Sequence, residues 1–339
     1  MNVLYLNYPP SPDGLEQATF GDFAKITMYK VPGEGNPVPP SAECLAADGI
    51  ISGSANHDVG DVNQYPNCKI IVRMGVGYDN LDSVAWGARG VPVCNVPDYG
   101  TSEVADHAVS LMLTLARGTH YYATRLAADP VGNWGWAPGA PLMRRLRGQT
   151  FGVIGLGRIG MAAARRAKGF DMDIIFYDPH LPNGAELGIG FKRAQSLKEL
   201  MQASDAISLH APLSDETRHI INAESLSWAK DNLILINTAR GPLVDIDALH
   251  AALKSNQIAG AALDVLPSEP PVPLHPLFLA LQAQEAWIKD RLILTPHAAF
   301  YSPPANLDIR RKAAEVVLYY LRDGRLTNCV NAHLIRRNT

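Results

Sequence analysis

Cysteine is scarce in this chain: four in 339 residues, at Cys44, Cys68, Cys94 and Cys329, with no CxxC and no paired spacing. That pattern excludes a disulfide framework and a cysteine zinc site, and it fits reduced thiols in a cytoplasmic protein. No metal is expected. Long apolar runs are missing too, so no membrane span is predicted. The opening MNVLYLNYPPSPDG has neither the basic region nor the apolar core of a secretory signal. The net charge is only −3, and no long basic or acidic tail stands out. This argues against nucleic acid or a membrane surface as partner. It also argues against the disordered arms that a regulatory scaffold often adds. What is present is a chain with 47% hydrophobic residues, long enough for two domains of ordinary size.

The stretch from Phe151 to Asp178 is the most informative. An apolar run, Phe151 to Ile154, opens into Gly155-Leu156-Gly157-Arg158-Ile159-Gly160 and an Ala/Arg-rich helical segment; a second run, Ile174 to Tyr177, ends at Asp178. Glycine-rich turns are common, but strand, GxGxxG, helix and an acid about twenty residues on together form a dinucleotide-binding fingerprint. Gly155 allows the tight turn, Gly157 lets backbone approach a pyrophosphate, and Gly160 lets the helix pack close to the sheet. The helix start attracts phosphate. Asp178 can accept from both hydroxyls of an adenosine ribose and would repel a 2′-phosphate, which predicts NAD as the cofactor.

Before this stretch, Val3–Leu6, Gly49–Ser52, Ile70–Val72 and Val91–Cys94 are strand candidates of a small parallel α/β domain, and Val31–Ser41 is a Pro/Gly-rich loop. Arg73 to Asn80 is a glycine-containing turn; read alone, it is an ordinary loop. Thr101–Arg117 has helical apolar spacing with Thr101 or Ser102 as cap, and its His107 reads as a packing residue. Tyr121–Arg147 is less regular and holds Trp134, Trp136 and the basic run Arg144-Arg145-Leu146-Arg147. It is either a subunit contact or a solvated loop.

After Asp178 the predicted strands Ala206–Leu209, Leu233–Ile236, Ala261–Leu263 and Leu292–Leu294 bring this region to six. Their ends carry His210-Ala211-Pro212, Asn237 to Gly241, Asp264 with Glu269 beyond, and Thr295-Pro296-His297. Ligands of an open parallel sheet bind beyond the carboxyl ends of its strands, where all of these residues fall. Hydride transfer to a 2-keto acid needs a cation on the carboxylate and an acid for the developing alkoxide. Arg240 suits the first task through two parallel bonds. His297 suits the second. Glu269 would orient the imidazole and stabilise its protonated form. A carboxylate beside a histidine is often a plain ion pair, but three such residues on successive strand ends read as a catalytic set.

These segments resemble the D-isomer-specific 2-hydroxyacid dehydrogenase family over almost the full chain. The carriers are RMGVGYDNLD (73–82), FGVIGLGRIG with Asp178, SLHAPLSDET (208–217), INTARGPLVD (236–245), ALDVLPSEP (262–270) and TPHAAF (295–300). The resemblance implies a Rossmann-type doubly wound parallel α/β sheet at 99–298. It also implies a smaller flavodoxin-like α/β substrate domain built from 1–98 and 299–339. Arg240, Glu269 and His297 become substrate anchor, histidine partner and proton donor. Cofactor contacts are implied from Val76, His210, Ala211, Pro212, Thr217, Thr238, Ala239, Arg240, Asp264 and His297, beside Gly155 to Gly160 and Asp178. Substrate contacts are implied from Val76, Gly77, Arg240 and Phe300. The resemblance further implies a homodimer formed near 118–148.

Within the family, HAAFYSPPANLDIRRKAAEVV and NCVNAHL are similar to the dehydrogenase core of the C-terminal-binding proteins, which have tryptophan at the Phe300 position. Pro270–Gln284 is a longer insertion than the family pattern. Two functions follow as expectations. One is an NAD-dependent enzyme interconverting a 2-keto acid and a D-2-hydroxy acid, with an apolar substrate side chain facing Phe300. The alternative is an NAD(H)-responsive interaction protein that retains the fold.

Overall fold

Short β-branched and apolar runs separated by helical pieces favour parallel strands buried on both faces. A computed structural model shows this arrangement twice. It describes residues 1–9, 11, 13–30, 40–53, 62–136 and 142–335. The expected loop at Val31–Ser41 therefore lies largely outside the described residues. The chain divides into two units, Met1–Gly100 with Tyr301–Thr339, and Thr101–Phe300.

The first unit holds β1 (Asn2–Leu6), β2 (Lys25–Tyr29), β3 (Gly49–Ser52), β4 (Ile70–Arg73) and β5 (Val93–Asn95). Their order is β2-β1-β3-β4-β5, all parallel, the flavodoxin-like arrangement. The helix Pro303–Asp323 belongs here. Its Ile309, Ala313, Ala314 and Val317 pack on Val3, Tyr5, Ile51, Ile70 and Val72. A Cβ on Gly49 would stand 2.9 Å from Val317 Cγ1, so the missing side chain lets the helix approach the sheet. Arg310 of this helix reaches Glu16 at 2.7 Å, both side chains being buried, and its guanidinium lies 4.3 Å from the Tyr8 ring centroid.

The second unit holds β6 (Thr150–Ile154), β7 (Asp173–Tyr177), β8 (Lys192–Arg193), β9 (Ala206–Leu209), β10 (Ile234–Asn237), β11 (Gly260–Leu263) and β12 (Leu292–Leu294). The order is β12-β11-β10-β9-β6-β7-β8, again all parallel. The direction of winding reverses between β6 and β9, and a dinucleotide binds at such a switch point. Helix Thr101–Arg117 lays Ala105, Ala108, Met112 and Leu115 into the same core as the helix Arg158–Lys168. Among the described residues no helix is long and apolar enough to cross a membrane.

Two strands depart from the sequence reading. β2 and β8 are edge strands at one end of each sheet. β2 is half-exposed and β8 is two residues long, so neither has the apolar run that marked the others. The second unit thus has seven strands among its described residues rather than six. The stretch after Arg117 is also more regular than expected, because Thr119–Ala128 is helical.

Candidate active site

The glycine-rich turn is built as its residue types require. Gly155 has φ of +85°, and a Cβ there would stand 2.7 Å from Ala211 N and 2.9 Å from His210 C. Only a glycine lets β6 and β9 end this close together. A Cβ on Gly157 would meet nothing within 4 Å, so the backbone there faces open space, and one on Gly160 would collide with the Gly155 carbonyl. The helix beginning at Arg158, with Ile159 and Gly160 in its first turn, has no side-chain cap and no acid in that turn. Its first N–H groups and positive dipole end are left for an anion. Asp178 accepts from Leu156 N at 2.9 Å and His180 N at 3.0 Å through its two oxygens. Each oxygen keeps a further lone pair for a ribose hydroxyl.

The neighbouring strand ends fit the same ligand. Thr238 Oγ1 is buried and has no hydrogen-bond partner, a polar atom that a bound group would satisfy. His210 is held by Ser208 Oγ at 2.9 Å, and burial pushes its pKa down to about 4, so its ring is neutral. Thr217 Oγ1 closes the loop after β9 by donating to Pro212 O at 2.6 Å and accepting from Ser214 N at 2.8 Å. Residues of this kind can hold a nicotinamide dinucleotide.

The three candidate catalytic residues come from different strand ends. His297 Nδ1 lies 2.6 Å from Glu269 Oε2, and Glu269 Oε1 accepts from Leu266 N at 2.8 Å. Burial alone would raise the Glu269 pKa. The bond and charge of His297, the Leu266 N–H and the positive Arg240 outweigh it and hold the carboxyl below its ordinary range. Arg240 Nη1 donates to Ala239 O at 2.8 Å. Its loop is fixed by the buried Asn237, which donates to Arg240 O at 2.8 Å and accepts from Ala239 N at 3.0 Å. The Phe300 ring meets the His297 ring edge-on, 6.2 Å between centroids.

Asp264, just beyond β11, is tied to the loop that follows β12. Its side chain is 1% exposed, and its oxygens accept from Thr295 Oγ1 at 2.5 Å, Ala298 N at 2.9 Å and Ala299 N at 3.0 Å. Asp264 O accepts from His297 N at 2.8 Å. A buried carboxylate must have its lone pairs satisfied, and here the loop carrying His297 satisfies them. That loop needs the support, since His297 sits at φ of +52°. His107 Nε2 lies 3.1 Å from Thr295 Oγ1, so the packing histidine of the sequence reading joins this network. The sequence reading placed Asn237 and Thr295 at strand ends without giving them a role, and did not single out Leu266. Their one local signal was a place at or just beyond a strand end. Val76 and Gly77 belong to the first unit, after β4, where Val76 O accepts from Asn95 Nδ2 at 2.6 Å.

Comparison with known proteins decides the family. Residues 109–299 match the D-isomer specific 2-hydroxyacid dehydrogenase, NAD binding domain. The chain belongs to the D-isomer-specific 2-hydroxyacid dehydrogenase family. Its second unit carries the family's NAD-binding domain. The chain is 37% identical over 273 residues to a glyoxylate reductase of Korarchaeum cryptofilum, covering 80% of this chain and 78% of that one. It is 36% identical over 292 residues to C-terminal-binding protein 1 of Caenorhabditis elegans, covering 82% of this chain but 38% of that longer protein. An NADPH-dependent glyoxylate/hydroxypyruvate reductase from Sinorhizobium meliloti, solved with NADP and malonate, aligns with a TM-score of 0.84 at 28% identity. That alignment covers 100% of this chain and 99% of the other.

Proposed function

We propose that this protein is an NAD-dependent D-2-hydroxyacid dehydrogenase that interconverts a 2-keto acid and a D-2-hydroxy acid. The observation that carries the reading is the 2.6 Å contact of His297 with Glu269, which also feels the charge of Arg240, at the strand ends of the sheet that carries the dinucleotide turn. When bound, the nicotinamide cofactor supplies the hydride for reduction and accepts it in the reverse direction. Arg240 grips the substrate carboxylate and polarises the adjacent carbonyl. With Nδ1 tied to Glu269, His297 offers Nε2 to give a proton to the carbonyl oxygen. Glu269 offsets the positive charge on the imidazolium before that transfer.

NAD is the preferred form. Asp178 would meet a 2′-phosphate with like charge. The nearby Arg193 is committed elsewhere: it donates to Asp178 O at 3.0 Å, Pro182 O at 2.9 Å and Glu186 Oε2 at 2.9 Å.

The substrate side chain is apolar. Phe300, with Ala298 and Ala299, makes a wall that rewards buried apolar surface at roughly 25 cal/mol per Å². It offers no partner to a terminal phosphate. NADH consumption with a panel of 2-keto acids tests both claims. Apolar, thioether or aromatic side chains should give higher kcat/KM than glyoxylate or 3-phosphohydroxypyruvate. Phe300→Ala should lose the large apolar substrates selectively. No turnover with any 2-keto acid would overturn the enzyme reading.

The active form is a homodimer. Val131, Trp134 and Trp136 are 86%, 81% and 84% exposed, which suits a region near 118–148 that a second copy covers. A monomer by light scattering would refute this. A second reading, an NAD(H)-responsive interaction protein, draws on the likeness to C-terminal-binding protein 1. NADH binding without turnover would favour it.

A further inference from the structure

Cys94 is the middle residue of β5, and Cys329 lies six residues beyond the end of the helix Pro303–Asp323. They are 235 residues apart in sequence, yet they form an antiparallel β-bridge. Val330 N donates to Val93 O at 2.8 Å and Asn95 N donates to Asn328 O at 3.2 Å. These bonds flank the pair, so Cys94 and Cys329 face each other at a non-hydrogen-bonded position. Cα atoms at such a position stand about 4.5 Å apart, with the side chains closest. That is within the span a disulfide bridges, about 4.4–6.8 Å. Cys329 Sγ donates to Asn331 Oδ1 at 3.3 Å, and the Cys329 thiol is near enough to Cys94 to help raise its pKa.

The segment is held in this register without the sulfurs. Asn331, fully buried, accepts from Val93 N at 2.8 Å and donates to Ser83 O at 3.1 Å and Val91 O at 3.2 Å. A bond between the sulfurs would therefore form on a backbone already in place.

We propose that Cys94 and Cys329 are a redox pair that closes to an intramolecular disulfide when a peroxide oxidises the protein. The closed form staples the segment after the last helix to β5. This inference concerns the first unit alone and does not depend on the catalytic reading. Cys94 is fully buried and Cys329 is partly exposed, so the peroxide meets Cys329 first. Burial, and then the adjacent Cys329 thiol, keep the Cys94 thiol protonated. The Cys329 sulfur attacks hydrogen peroxide, its S–O bond forms as the O–O bond breaks, and one water leaves. The Cys94 sulfur then attacks Cys329 sulfur. The S–S bond forms, the S–O bond breaks, and the Cys94 proton leaves with the hydroxyl as a second water. Two thiols lose two electrons and two protons, and the peroxide is reduced to two waters.

Peptide mapping of the full chain after hydrogen peroxide treatment tests this. Thiol titration of the denatured protein should fall from four groups to two, with a peptide containing Cys94 linked to one containing Cys329. Dithiothreitol should restore four. The oxidised form should melt about 5 °C higher, because the bond closes a very long loop. Cys329→Ser should abolish both changes. The proposal is overturned if Cys329 is recovered as a sulfinic or sulfonic acid with Cys94 still a thiol. It is equally overturned if the link joins two chains, or if all four thiols survive peroxide. Should Cys329→Ser fail to fold, the wild-type map decides the matter alone.

Discussion

Glu269 Oε2 stands 2.6 Å from Nδ1 of His297, and that contact selects which imidazole nitrogen is left for chemistry. A histidine bonded through Nδ1 to a carboxylate presents Nε2 as its acid. Replacing His297 by Ala should lower kcat for keto-acid reduction about 10²–10⁴-fold, the usual contribution of a positioned acid. NADH affinity, measured by fluorescence titration, should stay within about twofold, since the loss falls on the transition state. Wild-type turnover in this variant would refute the assignment.

Glu269→Gln keeps a hydrogen-bond acceptor beside His297 but removes its charge, and should lower kcat for keto-acid reduction more than it raises KM. The same carboxyl gives the fold a pH-dependent contribution. The Glu269 carboxyl is held below its ordinary range in the fold, despite burial, by His297, Leu266 N–H and Arg240. Its contribution is present above the unfolded carboxylate pKa, about 4.3, and is lost as pH falls through the folded value. Urea denaturation of wild type and Glu269→Gln should therefore converge in acid. A gap that widens there would contradict the argument.

For the cofactor, the ratio of kcat/KM for NADH over NADPH should be about 100 or more in the wild type, and Asp178→Ala should narrow it. Asp178 also holds Leu156 N and His180 N, so this variant should bind NADH less tightly as well. Equal use of the two cofactors by the wild type would be the contrary result.

In the proposed mechanism Asp264 acts through the loop it holds. Asp264→Ala leaves Thr295 Oγ1, Ala298 N and Ala299 N without their acceptor. Unsatisfied buried donors should destabilise the fold by roughly 3 kcal/mol. His297 should lose its left-handed backbone position, lowering kcat more than KM rises. Unchanged urea stability would show that the network is dispensable.

The buried pair of Arg310 with Glu16 gives a separate stability test. Glu16→Ala strands a buried guanidinium and should destabilise by about 3–5 kcal/mol. Replacing both residues by apolar ones of similar size should recover most of that loss. Chemical denaturation of the single and double variants would check it, and additive losses would exclude the pairing.

The sequence alone determined what depends on neighbours along the chain. The glycine turn between two apolar runs marked the candidate dinucleotide site, because backbone freedom and close approach are encoded residue by residue. The helix Thr101–Arg117 was read to its observed bounds, because helical periodicity needs no tertiary knowledge. Arg240, Glu269 and His297 could be singled out at strand ends on residue type and spacing. Tertiary structure decided the rest. The edge strands β2 and β8 carry weak local patterns and exist because β1 and β7 offer them hydrogen bonds. Asp264 was legible as a strand-end acid, but its commitment to Ala298 and Ala299 follows from the register of β11 on β12. Asn237 and Thr295 carry no local mark that separates a loop support from any other polar residue. Cys94 and Cys329 looked like scattered thiols for the same reason: chain separation hides a contact that only pairing across the fold creates.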